Sequence, residues 1–159
     1  MLMDLGAQSV IDRGDFSTLK ERILEATGGK NIDAVMDMLG GDYTNVFIDV
    51  MTKDMYARDT YPRLSIPGAS AGNVAKLLWT KIYLYQVHIC GVSHGTKNEA
   101  RQLIEWIREK KLKPLVHKAF KLSQLHEAER YFENRDTSYI GKIVIVPDRH
   151  WERVGQAYA

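Results

Sequence analysis

Apolar residues recur along this chain with two periods, and the two alternate. From residue 15 to residue 28 the spacing is helical: Phe16, Leu19, Ile23 and Ala26 share one face, Asp15 or Ser17 can cap the start, and Gly28 can end it. A second helix is predicted over residues 44–53 through Val46, Phe47, Val50 and Met51, and a short one capped by Asn73 over Val74, Leu77 and Leu78. Thr96 and Glu99 form a T-x-x-E capping box that opens a helix carrying Ala100, Leu103, Ile104 and Ile107, stopped by Lys113 and Pro114. A last helix is capped by Ser123. Between these lie short apolar runs bounded by turn residues, at 9–11, 32–37, 63–66, 85–93, 115–119 and 142–146, which read as strands.

Strand and helix alternate through Trp106, the order of an α/β sheet whose parallel strands are joined by right-handed crossovers. The nearly continuous apolar run at 32–37 suits a parallel strand covered on both faces. With 159 residues, no repeat and no low-complexity linker, the chain has the size of one domain with a real core.

Composition narrows the class. Hydrophobic residues at 45% and charged residues at 26% are ordinary for a globular chain, so disorder is not expected. Lysine and arginine total 22 against 20 acidic residues and form no stripe, so nucleic acid is not an expected partner. The densest basic stretch, residues 108–114, ends a helical pattern, where cations complement the helix dipole. The single cysteine, Cys90, cannot form an internal disulfide, reads as a buried small hydrophobe in its apolar run, and fits a reducing, cytoplasmic location. No apolar run approaches the roughly 18 residues of a membrane span, and no membrane partner is expected. One cysteine and scattered histidines do not make a tetrahedral metal site, and no metal is assigned.

Two stretches raise a question about chemistry. Gly68-Ala69-Ser70-Ala71-Gly72 and Gly91-Val92-Ser93-His94-Gly95 both match G-x-S-x-G, the turn that presents a nucleophilic serine in hydrolases. Ser93, then Asp136 or Asp148, then His150 also follow the serine, acid, histidine order of that class. Against this reading, Asp148 and His150 follow the last strand in a tail expected to fray, and no HGGG-like oxyanion segment occurs. Short-chain dehydrogenases are also disfavoured: they need Y-x-x-x-K, and no tyrosine here has a lysine four residues on, Tyr139 and Lys142 being one residue too close.

The series "LGAQSVIDRGD", "GGKNIDAVMDMLGGD", "RLSIPGASAG", "ICGVSHGT" and "LKPLVHKAFKLSQLHEAERYFENRDTSYIGKIVIV", in this order over residues 5–147, resembles the C-terminal, nucleotide-binding part of medium-chain dehydrogenases and reductases. The quinone oxidoreductase and zinc-type alcohol dehydrogenase-like branch is the nearest. The resemblance implies a partial Rossmann-like parallel sheet with flanking helices that lacks its first βαβ unit. In the strand order 3-2-1-4-5-6, strands 3 to 6 would be present and strands 1 and 2 absent. No two glycines are separated by one residue, so G-x-G-x-x-G and its pyrophosphate cradle are absent too. The implied organisation is a partial dinucleotide-binding domain over residues 1–147, with a returning segment from about 114 to 147, then a tail over 148–159.

In that family both G-x-S-x-G stretches end sheet strands and approach the nicotinamide half of NAD or NADP at the carboxyl ends of the strands. The resemblance thus implies cofactor contacts from Met38, Leu39, Gly40, Ile66, Pro67, Gly68, Ala69, Gly91, Val92 and Ser93. Gly68 and Gly91 would serve close backbone approach, and Ser70 and Ser93 need not be nucleophiles. It implies a C-terminal fragment of an NAD(P)H-dependent oxidoreductase whose full-length form takes a small carbonyl, alcohol or quinone. It also implies a homodimer paired through strand 87–92. No catalytic residue is assigned, and the chain alone is expected to be inactive. A non-catalytic dimerisation fragment is the competing class, and a serine hydrolase the third.

Individual side chains have plain readings beside functional ones. His94 follows Ser93 at the crevice, where an imidazole could meet a carboxamide or substrate, or simply face solvent. Asp37 ends its strand on the expected adenosine side, where an acid also serves as a turn or capping group. Lys142 is either a phosphate partner or a solvated lysine opening a strand. His88, His117 and His126 carry no ligand pattern.

Overall fold

The computed structural model describes residues 1–54, 60–134 and 139–158. It forms two compact units, Met1–His94 and Gly95–Ala159, each with its own parallel sheet. In the first unit the elements run α1 (Leu19–Ala26), β1 (Ala34–Met36), α2 (Asp42–Met51), β2 (Arg63–Ile66), α3 (Trp79–Leu84) and β3 (His88–Gly91). The strands lie side by side in chain order, with Val35 and Ile89 flanking Leu64. Each helix returns the chain so that the next strand is parallel, as the alternating pattern requires.

Local chemistry sets the ends of α1. The Asp15 carboxylate accepts the Ser17 N–H at 2.9 Å and opens a 3-10 turn, Phe16–Thr18, that leads into the helix. At the other end Gly28 takes φ +62°, its N–H donates to the Glu25 carbonyl, and the Gly29 N–H donates to the Leu24 carbonyl, the glycine-dependent Schellman closure. α2 is the hub of the core: Val50 packs with Leu19 and Ile23 of α1, while Ile48 and Met51 pack with Leu64 of β2, joined by Val35, Ile66, Leu77 and Ile82. A cleft of about 730 Å³ opens beside β1, lined by residues that include Ala7, Ile11, Ile23, Ile32, Val35 and Met36.

The second unit contains α4 (Lys97–Arg108), β4 (Val116–Lys121), α5 (Leu125–Glu133) and β5 (Lys142–Val146). β4 and β5 pair in parallel, with a bulge at His117. α5 packs on both strands, burying Ala128, with Ala119, Phe120 and Val146 buried in the sheet. The expected capping box is present: the Glu99 carboxylate accepts the Thr96 N–H at 2.6 Å and the Thr96 hydroxyl accepts the Glu99 N–H. Trp151–Gly155 forms a π-helical turn whose ring covers the buried Gly155.

Several elements depart from the sequence pattern for identifiable reasons. Residues 9–11 form no strand; Ile11 packs against the α1 and α2 core instead, and β1 pairs only with β2. The run at 32–37 is not covered on both faces, for Met36 is 72% exposed. No helix starts at Asn73, because Gly72 is tied to Gly40 by a β-bridge and the chain runs on irregularly to Trp79. Cys90 is exposed, since β3 is an edge strand that this unit covers on neither face. Ser123 does not cap α5; its hydroxyl donates to Asp148 at 2.9 Å, and the Lys121 N–H is taken by Gln124.

One carboxylate joins three helices. Asp49 on α2 receives Lys20 of α1 at 3.1 Å and also receives Lys81 of α3. Burial disfavours its charge, but the hydrogen bonds and charges of Lys81 and Lys20 outweigh that and hold the carboxyl below its ordinary value. A carboxylate with a depressed folded pKa stabilises above its unfolded pKa and loses that contribution as pH falls through the folded one. Asp49→Asn is expected to lower unfolding stability by about 0.5–1 kcal/mol at pH 7, the size of partly solvated ion pairs. The difference between the two proteins should shrink as pH falls below about 4. Urea unfolding at pH 7 and pH 3 checks this; a pH-independent difference would mean that Asp49 acts through packing alone.

Candidate functional site

The carboxyl ends of β1, β2 and β3 lie beside one another, and the loops leaving them are laced together by backbone. The Asp37 N–H donates to the Ser65 carbonyl at 2.8 Å, which extends the β1 and β2 pairing by one step. Beyond it, the Met38 carbonyl accepts both the Ser70 N–H at 3.2 Å and the Ser70 hydroxyl at 3.0 Å, and the Leu39 carbonyl accepts the Ala71 N–H at 2.7 Å. On the other side the Val92 N–H donates to the Ile66 carbonyl at 3.0 Å, carrying the β2 and β3 pairing one residue past the strand end. The three loops therefore form one continuous wall.

Glycine makes this lacing possible. Gly40 adopts φ +71°, and a Cβ there would overlap the Gly72 carbonyl oxygen and sit 3.0 Å from Ala69. A Cβ on Gly68 would press on the Met38 carbonyl oxygen at 3.2 Å. Gly91 differs: nothing lies within 4 Å of where its Cβ would be, so that position is open from outside.

Of the ten residues expected from sequence, the structure brings Met38 against Gly68, Gly40 against Ala69, and Ile66 against Val92, while Leu39 meets Ala71. Met38, Ala69, Gly91, Val92 and Ser93 are exposed, Leu39, Ile66, Pro67 and Gly68 are partly buried, and Gly40 is buried. None has an ionisable side chain, so these side chains supply no acid or base near neutral pH. His94 is exposed at its margin. Lys142 and Tyr139 belong to the second unit. Of the hydrolase candidates, Asp136 lies outside the described residues and Asp148 is engaged by Ser123. The Ser70 hydroxyl is a brace between two loops, donating to Met38. The sequence pattern leaves Asp37 open between roles; it is fully buried, and its Oδ1 accepts the N–H groups of Leu39 and Gly40, each at 2.9 Å.

The glycines separate structural need from surface access. Gly40→Ala is expected to cost more than about 1 kcal/mol, because it adds a left-handed penalty to a backbone overlap. Gly91→Ala should leave the melting temperature within a degree or two of wild type, since it meets open space and lies within the ordinary tolerance of surface changes. Thermal unfolding of both variants checks the pair; equal losses would contradict this geometry.

Comparison with known proteins agrees with this architecture. A family model described as zinc-binding dehydrogenase matches residues 5–145. A Sinorhizobium meliloti 1021 protein provisionally named an alcohol dehydrogenase superposes with a TM-score of 0.73 at 35% identity, covering 92% of this chain and 38% of that one. A structure named NAD-dependent alcohol dehydrogenase gives 0.67 at 27% identity, covering 90% of this chain and 39% of that one. Quinone oxidoreductase-like protein 2 of Bos taurus is 23% identical over 154 residues, 91% of this chain and 41% of that protein. The chain thus spans about two fifths of the length of these relatives. Among the described residues no group of three or more histidine, cysteine, aspartate or glutamate side chains could hold a metal ion, so the residues present do not fit the zinc of the family's name. With a parallel sheet flanked by helices, a glycine-laced wall at its strand ends and a family match over residues 5–145, this chain belongs to the zinc-binding dehydrogenase family, within the medium-chain dehydrogenases and reductases.

Proposed function

We propose that the wall formed by Met38, Leu39, Gly40, Ile66, Pro67, Gly68, Ala69, Gly91, Val92 and Ser93 is one side of an NAD or NADP site in an oxidoreductase, with residues 66–69 and 91–93 toward the nicotinamide and residues 38–40 toward the adenosine. The observation that carries this reading is Gly91: the end of an edge strand holds a residue without a side chain where no protein atom needs the space. Close approach by a flat ligand accounts for a bare backbone there, and parallel α/β sheets bind their ligands at the carboxyl ends of the strands. The residues present fit such a group along one side, through apolar and backbone surface. When bound, the nicotinamide would supply or receive hydride. This chain's residues position it and exclude water from one face; they contribute no proton donor. The substrate class in the full-length enzyme is a small carbonyl, alcohol or quinone. A cytoplasmic location fits the single free cysteine.

Amide hydrogen exchange of the full chain, with and without about 1 mM NADH or NADPH, a concentration suited to weak binding, tests the site. Slower exchange at residues 66–69 and 91–93 is the expected result, and Gly91→Ala should reduce the protection. Unchanged exchange with both cofactors would remove the cofactor reading.

The same strand supports homodimerisation. Among the described residues β3 pairs only with β2, and His88, Ile89, Cys90 and Gly91 are all exposed without a lysine or proline among them to block a partner. Two copies joined edge to edge about a two-fold axis would continue the sheet. Sedimentation at matched concentration should show wild type as a dimer and Ile89→Pro as a folded monomer, because proline removes a ladder donor. A wild type that stays monomeric at tens of micromolar, roughly the range of a weak but specific pair, would place the interface elsewhere or nowhere.

A further inference from the structure

We propose that Asp37 is the positioning residue of the crevice wall, holding residues 38–40 in place and turning the Leu39 and Gly40 N–H groups away from any ligand. This rests on the reading of the wall as a cofactor surface. Asp37 has no exposed surface, and a carboxylate is buried only where its oxygens are well satisfied. Oδ1 takes the N–H groups of Leu39 and Gly40, each at 2.9 Å, and Oδ2 takes the Thr44 hydroxyl at 2.5 Å, in the first turn of α2.

The rest of the turn is spoken for as well. The Met38 carbonyl is held by Ser70 through its N–H and its hydroxyl, and the Leu39 carbonyl by the Ala71 N–H. The Leu39 and Gly40 N–H groups thus face inward to Asp37, and the Met38 and Leu39 carbonyls face sideways to the β2 loop. What remains outward is the Met38 side chain, 60% exposed. With the Leu39 and Gly40 N–H groups consumed, that pair offers no nest for a phosphate, and the Met38 side chain presents an apolar face to an uncharged part of a ligand. Removing the carboxylate would release two N–H groups and let the turn drift from Ser70 and Ala71.

A plain helix-capping role is separable, because Thr44 touches only Oδ2. In Asp37→Asn the side-chain oxygen still accepts from Leu39 and Gly40, while the amide can donate to the Thr44 hydroxyl. The experiment measures amide exchange at Leu39 and Gly40 by NMR, together with NADH titration of the full chain, for wild type, Asp37→Ala, Asp37→Asn and Thr44→Val. Asp37→Ala is expected to speed exchange at both amides about tenfold or more, the scale of a lost charge-assisted hydrogen bond, and to raise the NADH Kd about fivefold. Asp37→Asn should stay within about twofold of wild type in both, and Thr44→Val should lower the melting temperature without moving either. Unchanged exchange in Asp37→Ala, or the same changes in Thr44→Val, would overturn the proposal. Should Asp37→Ala fail to fold, Asp37→Ser, whose hydroxyl is too short to serve both N–H groups and Thr44, is read the same way. If wild type binds neither NADH nor NADPH, the cofactor reading fails, while exchange at Leu39 and Gly40 still decides the role of Asp37.

Discussion

Where two loops leaving adjacent parallel strands press backbone against backbone, a side chain at the tightest point would collide with the other loop. Here that point is Gly40 against Gly72, with Gly40 in a left-handed conformation and Gly41 beside it also at positive φ. Everything else in the wall follows from that approach. It brings the Leu39 carbonyl to the Ala71 N–H and the Met38 carbonyl to Ser70, and it fixes where α2 begins. α2 in turn carries Ile48, Met51 and Val50, which join the sheet to α1. A backbone contact of a few atoms thus sets both the surface of the wall and the packing behind it.

Elements defined by local chemistry are legible in the sequence itself. The strands at residues 63–66 and 142–146 fall where the apolar pattern puts them, and the Thr96 and Glu99 box opens α4. What the pattern misses depends on partners far along the chain. Residues 9–11 have strand-like composition, but a strand exists only where another pairs with it. Val74, Leu77 and Leu78 have helical spacing, but the bridge from Gly72 to Gly40 holds the chain extended just before them. Ser123 looks like a cap until Asp148, 25 residues on, takes its hydroxyl. Cys90 sits in an apolar run, yet an apolar run does not say whether its own unit covers it.

The site shows the same division. The family resemblance marks Gly68 and Gly91 as positions of close approach and Gly40 as a contact position, and a residue without a side chain suits such places. Their reasons differ, though, and only their surroundings in space tell them apart: Gly40 and Gly68 yield to the protein's own backbone, whereas Gly91 yields to open space. The G-x-S-x-G match at Ser70 illustrates the limit of a short motif. The serine is at a strand end as in a hydrolase, but its hydroxyl is spent on a carbonyl of the neighbouring loop. Asp37 is visible in the sequence as an acid at a strand end; that both its oxygens are consumed within seven residues of chain is not.

Among the described residues the three-stranded sheet of the first unit has two different edges, β1 on one side and β3 on the other. Joining like edges, β3 to β3, uses the edge up and stops at two copies. Joining unlike edges, β3 of one copy to β1 of the next, leaves a fresh edge at each end and has no natural stopping point. The cleft beside β1, lined in part by Ala7 and Ile11, places chain next to that edge. For any copies that join edge to edge, whatever occupies that side of β1 would therefore decide more than local stability: it would separate a closed pair from an open-ended fibre.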